Sequence, residues 1–447
     1  MTPSDPSKTY WIETYGCQMN VAESLALEND LTAYGWNRAE TVEEASLVIL
    51  QTCSVRQTAE NRIWGRIGFF KHVKESHPHR LVIMGCMAER LKDSIIAEAP
   101  NVDLVVGING RNELVSFLEE IRNREMKQDY LSGSSFAFSR SYGREGAFAS
   151  MVPIMHGCNN FCSYCIVPYV RGREISRSPD DILSEIHELE AKGVREVTLL
   201  GQNVNSYRYE GMDFPGLLTH ILATTSTIRW FRFISSHPKD LSPALIEMIA
   251  HERRLCRHIH LPVQHGSDAI LARMNRRYTT EQYRALVRSL RQAVPDVSLT
   301  TDILVGFPGE READVDETLA LMEEIRFDDA FMYQYNRREG TMASNFPDQV
   351  PHRTKIERLS RVIAVQKRIS AEILRGRIGT TTTVLAESVS KRNAGELLGH
   401  TERNEMVVFP APHEGTPHEG IGRFYDVQLT GLRGRTFKGE VILCRGD

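Results

Sequence analysis

Between residues 8 and 126, short apolar runs alternate with longer amphipathic stretches. Runs at 10–15, 47–51, 81–84 and 102–106 read as strands. The stretches at 21–34, from 57, from 88, and at 112–124 read as helices. Strands apolar at consecutive positions are buried on both faces, which predicts an α/β unit with a parallel, doubly wound sheet. Residues 127–143 are rich in Ser, Gly and aromatic side chains without a period and read as a linker. From 144 to 375 the strand–helix pattern repeats about six times. Strands are expected at 151–156, 196–200, 229–234, 258–263, 297–304 and 329–335. Helices are expected at 179–192, 214–225, 241–251, 279–293, 310–325 and 354–375. Six such repeats do not close an eight-fold barrel, so an open, partial (β/α)6, TIM-like barrel is expected. From 378 to 446 the helical period is lost. β-rich runs at 381–386, 406–409, 425–429 and 436–443, separated by Gly, Pro and Asn, predict a small β-barrel of the kind that binds oligonucleotides.

Composition narrows the picture. The chain has 447 residues, 41% hydrophobic and 25% charged, with a net charge of −4. A globally basic nucleic-acid binder is excluded, and any such surface must be local. Residues 1–8 are polar and lack an apolar signal core, and no apolar run is long enough for a bilayer. A cytoplasmic protein without a membrane partner is expected. Eight cysteines in a reducing compartment point to metal ligands before disulfides.

Three of these cysteines, Cys158, Cys162 and Cys165, form a C-x3-C-x2-C run just after an apolar stretch. Three thiolates at this spacing can hold three irons of a [4Fe-4S] cluster and leave the fourth open to a small molecule. An open iron is reactive, so the run predicts a redox-radical enzyme. A second set, Cys17, Cys53 and Cys86, is scattered in sequence, yet each follows an apolar strand directly or almost so. Strand carboxyl ends share one edge of a parallel sheet, so these thiols are expected to converge, with Gly16 and Gly85 allowing close backbone turns. Two other readings stand beside this one: three unrelated buried thiols, and a zinc site needing a fourth ligand such as His72, His77 or His79. Cys256 and Cys444 read as packing residues.

The cysteine run, with Tyr164 before its last Cys, resembles the radical S-adenosylmethionine superfamily. Wider text is similar to the methylthiotransferase family, and within it the MiaB type. It comprises GCNNFCSYCIVPYVRGRE at 157–174, LGQNVNSY at 200–207, HLPVQHGS at 260–267 and TDILVGFPGE at 301–310. The likeness spans about residues 9–443 and includes a C-terminal TRAM domain. One departure falls at 335–343, YNRREGTMA, where the family more often has Pro in place of Glu339.

The resemblance implies two [4Fe-4S] clusters. Cys158, Cys162 and Cys165 would hold the one that cleaves S-adenosylmethionine, and Cys17, Cys53 and Cys86 an auxiliary one that presents sulfur. It implies conversion of N6-isopentenyladenosine to its 2-methylthio form at position 37 of tRNAs, with two S-adenosylmethionine per turnover, one the radical source and one the methyl donor. Implied partners are a tRNA anticodon stem-loop, a flavodoxin- or ferredoxin-like electron donor, and sulfur and cluster supply proteins; a monomer is expected. Sister branches act on threonylcarbamoyl-adenosine in tRNA or on a ribosomal-protein aspartate. A non-enzymatic RNA-binding iron–sulfur sensor is the remaining alternative.

Sites in such barrels lie beyond the strand carboxyl ends. Gly201, Gln202 and Asn203, then Ser235 and Ser236, then Gln264 and His265, then 306–310 ending at Glu310, are therefore cofactor candidates, with Tyr164 placed to pack on adenine. Loop and helix capping is the alternative role. For tRNA the candidates are Arg171, Arg173 and Arg177, a basic excess at 352–377 that includes Arg353, Arg358, Arg361 and Arg368, and three possible stacking rings, Phe409, Phe424 and Phe437.

Overall fold

The computed structural model describes residues 8–54, 57–121, 129–133, 135–140, 146–412 and 416–445. The chain forms two compact units. The first holds residues 1–143, 151–161 and 165–177, and the second 144–150, 162–164 and 178–447.

In the first unit six parallel strands form one sheet: β1 (Thr9–Thr14), β2 (Asn37–Arg38), β3 (Leu47–Thr52), β4 (Arg80–Gly85), β5 (Leu104–Val106) and β6 (Asp129–Leu131), in the order β2-β1-β3-β4-β5-β6. Helices α1 (Gln18–Ala33), α2 (Gln57–Ser76), α3 (Cys86–Glu98) and α4 (Leu114–Glu120) alternate with them. β3 is buried along its whole length. Val48 and Leu50 enter one core with Ile63, Phe70 and Ile83; Leu47 and Ile49 enter the other with Leu27, Leu31 and Met84. This two-sided burial is why the strand reads as a continuous apolar run. The short strands β2 and β6 have no readable period. β6 lies inside the segment expected to be a linker, and pairs with β5.

β7 (Ala149–Pro153) opens the next part of the chain, followed by β8 (Met155–His156), α5 (Val167–Val170) and β9 (Ile175–Ser176). β8 and β9 pair antiparallel and bring the two ends of the cysteine loop together.

The second unit carries β10 (Glu196–Leu200), a small β11 (Arg208–Tyr209) and β12 (Met212–Asp213) hairpin, β13 (Trp230–Phe233), β14 (His258–His260), β15 (Ser298–Val305) and β16 (Asp329–Gln334). Between and after them come α6 (Pro179–Ala191), α7 (Phe214–Thr224), α8 (Pro243–His251), α9 (Asp268–Arg273), α10 (Thr280–Ala293), α11 (Glu312–Ile325) and α12 (His352–Gly376). β10 pairs parallel with β13, and β14, β15 and β16 form a second parallel ladder. The helix starts are encoded locally. Ser178, Asp213, Ser242 and Thr279 each accept a hydrogen bond from the first turn, and Pro opens α6 and α8.

A closed barrel ends the unit: β17 (Thr381–Val389), β18 (Glu396–Thr401), β19 (Met406–Pro410), β20 (Phe424–Arg433) and β21 (Thr436–Arg445), in the order β17-β18-β19-β21-β20. β18 escapes the sequence pattern because Gly399 interrupts it; a Cβ there would overlap the Leu385 carbonyl. Phe409 and Phe437 fill the barrel core, and Phe424 packs with Trp230, Cys256 and Leu385. These three rings are core residues, not stacking platforms. Cys256 is buried as expected, whereas Cys444 is exposed on β21, opposite Tyr425 of β20.

The same barrel docks on the amino ends of β10 and β13. Arg232 joins Glu196 (3.1 Å) to the carbonyls of Thr401 (2.7 Å) and Glu402 (3.0 Å). His400 stands between Glu196 (2.8 Å) and Glu387 (2.6 Å). Among the described residues no helix is long and apolar enough to cross a membrane.

Candidate active site

Parallel pairing sets β1, β3 and β4 side by side, so their carboxyl ends lie together. Cys17 caps α1 three residues after β1, Cys53 directly follows β3, and Cys86 opens α3 directly after β4. Cys53 and Cys86 are buried and Cys17 is exposed. The backbone turns tightly between them. Gly16 has φ +123°, and a Cβ there would overlap that of Cys53 and stand 3.0 Å from its sulfur. Gly85 has φ +99°, and its Cβ would lie 2.6 Å from the Thr52 carbonyl oxygen. Only glycine fits either position. Asn20 ties the edge together: its Nδ2 donates to the carbonyls of Tyr15 and Thr52, both at 2.8 Å, and its Oδ1 accepts from the Cys17 thiol at 3.6 Å.

Arg171 enters this edge from the segment after Cys165. Its Nε donates to Cys86 Sγ (3.3 Å), its Nη1 and Nη2 clasp Glu23 (2.6 and 3.1 Å), and Nη2 also reaches Asn20 Oδ1 (3.2 Å). Burial opposes its charge, but Cys86, Glu23 and Cys17 outweigh burial and hold the guanidinium above its ordinary range. Burial raises the Cys86 thiol, and Arg171 works against that rise. Beside it, burial and the Arg171 charge push His156 down to about 3, so the imidazole is neutral. It stacks on Phe136 at 3.6 Å. Arg177 is also buried, donating to the Pro153 carbonyl. Of the three arginines expected to face phosphate, Arg171 and Arg177 are interior, and Arg173, over the Phe161 ring at 4.2 Å, is at the surface.

The C-x3-C-x2-C run is a loop between β8 and α5. Its first part is held by the segment that follows the run. Cys158 N donates to Gly172 O (3.2 Å), and the Asn159 amide and side chain bond the Glu174 carboxylate (3.1 and 3.3 Å). Gly157, at φ +78°, lies against the Arg173 carbonyl where a Cβ has no room. In the second unit Cys162 accepts from Arg276 Nη1 (3.4 Å), and Ser163 is pinned by Met274 O (3.0 Å) and Arg273 O (2.8 Å). Each cysteine set therefore has one buried arginine aimed at one sulfur. Tyr164 packs against the apolar cluster that includes Ile270, Met274, Phe307 and Tyr335.

At the strand ends the polar candidates separate into two groups. Glu310 is committed internally: Oε2 accepts from Gly306 N (2.7 Å) and meets His265 Nε2 (3.1 Å), while Oε1 accepts from Arg358 (3.0 Å). Asn203 bridges Asp240 (2.7 Å) and the His237 amide (3.1 Å). Both side chains hold neighbouring loops together. Gly201 is buried and Gln202 half-buried just beyond β10. Ser235 (φ +73°) and Gln264 (φ +70°) hold left-handed backbone conformations just past β13 and β14. Gln264 keeps pairing with β15, its amide donating to Asp302 O (2.9 Å). Left-handed non-glycine residues cost energy and concentrate at functional sites.

Three family models match this chain. The Radical SAM superfamily covers residues 152–322, Uncharacterized protein family UPF0004 residues 9–107, and the TRAM domain residues 375–442. The tRNA-2-methylthio-N(6)-dimethylallyladenosine synthase of Treponema pallidum (strain Nichols) is 51% identical over 97% of this chain and 99% of its own. The enzymes of that name from Bacteroides fragilis (strain YCH46) and Dictyoglomus thermophilum are 45% and 42% identical, covering 98% and 97% of this chain and 97% and 98% of their own. The chain belongs to the MiaB-type radical S-adenosylmethionine methylthiotransferases. This methylthiotransferase shares its fold with the radical S-adenosylmethionine methyltransferase TsrM from Kitasatospora setae. The TM-score is 0.59 at 13% identity, over 75% of this chain and 77% of that one, in a structure with cobalamin and a [4Fe-4S] cluster bound. The family's cofactors are a [4Fe-4S] cluster and S-adenosylmethionine.

The methylthiotransferase's residues suit those groups. Among the described residues no three His, Cys, Asp or Glu side chains gather closely enough for a single metal ion. A cluster asks for a wider arrangement, because each thiolate takes its own iron. Past β10 and β13 and at the end of β16, the side-chain polar atoms of Asn205, Ser236 Oγ, His237 Nε2 and Gln334 Oε1 are buried without a hydrogen-bond partner in the chain. Buried polar groups are normally satisfied, which makes these four candidates for contact with a bound group. Burial and then Arg276 hold His237 well below its ordinary range, and its Nδ1 accepts from Lys239 N, which leaves the proton on Nε2 as an unused donor. Sequence reading did not single out Asn205, His237, Gln334 or Arg276. The first two lie within a few residues of the chosen Asn203 and Ser236; Arg276 carried no local signal.

Proposed function

We propose that this methylthiotransferase converts N6-isopentenyladenosine at position 37 of tRNAs to its 2-methylthio form. Two [4Fe-4S] clusters serve the reaction, one on Cys158, Cys162 and Cys165 and one on Cys17, Cys53 and Cys86. Two S-adenosylmethionine molecules are used per turnover, one for the radical and one for the methyl group. The observation that carries this reading is full-length identity of 42–51% to synthases of that name, in a chain whose second cysteine set gathers at one sheet edge. When bound, the cofactors supply a radical able to break an unactivated C–H bond and the sulfur that replaces the hydrogen.

The chain's own residues bind and orient. Gly16 and Gly85 leave space at the auxiliary thiols, and Asn20 fixes the Cys17 turn. Asn205, Ser236, His237 and Gln334 offer polar atoms to S-adenosylmethionine, with Gln202, Ser235 and Gln264 as further contacts beyond the strand ends, and Tyr164 covers its cluster. Arg173 is the surface arginine offered to the tRNA anticodon stem-loop. A flavodoxin- or ferredoxin-like donor, sulfur and cluster supply proteins, a monomeric state and a cytoplasmic location complete the reading.

Mass spectrometry of tRNA nucleosides from a deletion strain tests the substrate. Loss of 2-methylthio-isopentenyladenosine with accumulation of the unthiolated nucleoside is expected. An unchanged level, with loss of the 2-methylthio derivative of threonylcarbamoyl-adenosine or of the ribosomal aspartate modification instead, would sink it.

A further inference from the structure

We infer that Arg171 is a positioning residue for the auxiliary centre: it fixes Cys86 by a charge-assisted N–H···S bond and raises the reduction potential of the cluster held there. The inference rests on the two-cluster reading above.

The geometry is specific. Arg171 is 6% exposed, and its fork is fully assigned. Two nitrogens clasp Glu23, one of them also meets Asn20, and the remaining Nε points at Cys86 Sγ from 3.3 Å. Nη1 also lies 3.4 Å from His156 Nδ1, which closes the last side of the guanidinium. Burying a charge is costly, and Cys86, Glu23 and Cys17 together oppose that cost at Arg171. The Nε–sulfur bond adds a directed contact to Cys86 within that arrangement. A lysine could not reproduce it, because an ammonium lacks the planar fork that meets the carboxylate and the sulfur together.

Arg171 is also anchored to the other cysteine run. The residues that follow it, Gly172 and Glu174, bond Cys158 N and Asn159. The segment that carries Arg171 is thus fastened to the Cys158 loop while its side chain grips Cys86. A permanent positive charge and a hydrogen bond on a ligating sulfur both favour the reduced, more negative cluster, and so raise its potential.

The test uses the full chain with Cys158, Cys162 and Cys165 changed to Ala, purified anaerobically so that only the auxiliary cluster titrates. Against that parent, Arg171→Met is expected to move the midpoint potential to more negative values and to change the paramagnetic resonance signal of the reduced cluster. Arg171→Lys should fall between the two. Glu23→Gln, which leaves the arginine charge uncompensated, should shift the potential the opposite way. Coincident potentials and signals in parent and Arg171→Met at equal iron content overturn the inference. Should Arg171→Met fail to hold iron, Glu23→Gln decides: a positive shift supports the role and an unchanged potential overturns it. A parent without iron overturns the two-cluster reading itself, and this inference with it.

Discussion

At the scale of single residues, position along a strand says where a side chain arrives but not what it meets. Glu310 and Asn203 stand where a cofactor ligand is expected, yet each is consumed by neighbours: Glu310 by Gly306, His265 and Arg358, Asn203 by Asp240 and His237. Ser236 and His237, in the same kind of position, keep a buried polar atom without a partner. Burial without satisfaction marks a candidate for ligand contact where a satisfied group marks a loop tie, and it can be judged only once the neighbours are known. Gly16 is the opposite case, legible from sequence as a turn beside a cysteine and then tightened by the structure to a position without room for a methyl group. Gly16→Ala should destabilise the first unit by about 1–3 kcal/mol from backbone strain alone. Urea denaturation measures this, and an unchanged midpoint would contradict the tight turn.

At the scale of elements, hydrophobic periodicity located most long strands and helices, because burial on one or both faces writes itself into local sequence. It missed the short elements β2, β6, β9, β11, β12, α5 and α9, and β18, which Gly interrupts, and it could not see what lies opposite a helix. The basic excess on α12 looks like a phosphate grip in sequence. In the fold α11 answers it: Arg358 pairs with Glu310 and Glu312, Arg361 with Glu312 and Asp316, and Arg368 with Glu323 and with Glu372 of α12 itself. Three of those basic side chains thus tie α12 to α11 and the turn before it. At 335–343 the turn is closed by Thr341, whose amide and hydroxyl both bond the Arg338 carbonyl. The pairs on α12 are unequal. Arg358→Met strands the buried Glu310 carboxylate and should cost about 3–5 kcal/mol. Arg353→Ala removes an exposed i,i+4 pair with Glu357 and should cost at most about 0.5 kcal/mol. Thermal unfolding of the two variants side by side checks this; equal losses would mean that the Glu310 centre is not the anchor.

At the scale of the whole molecule, the terminal β-barrel is fastened to the amino ends of β10 and β13 by the Glu196, Arg232 and His400 network and the apolar patch around Trp230. Strand amino ends in such barrels serve stability, and the carboxyl ends remain for chemistry. Burial works against the His400 charge, but hydrogen bonds to Glu196 and Glu387 outweigh it and raise the imidazole above its ordinary value of 6.5. The sign follows from linkage. Below the unfolded value the protonated ring and its two carboxylates contribute in full, and that contribution is lost as pH rises through the raised folded value. The thermal midpoint of the wild type should exceed that of His400→Gln by most at pH values below 6.5, and the gap should narrow as pH rises through and beyond neutrality. A gap independent of pH would show that the ring is neutral in the fold.

By itself the sequence determined the order of the longer elements, the doubly wound first unit, the partial barrel and the terminal β-barrel. It also set the C-x3-C-x2-C spacing and the placement of three further cysteines after three strands. These are properties of neighbouring residues, set by periodicity and short-range spacing. Only the tertiary structure decided that β1, β3 and β4 adjoin and so gather Cys17, Cys53 and Cys86 at one edge. The same holds for Arg171, which faces Glu23 across 148 residues of chain and not a phosphate, and for His400, which meets Glu196 across 204. A charged or polar side chain takes its role from whatever partner relieves its desolvation, and in a fold built from distant strands that partner has no signature in local sequence.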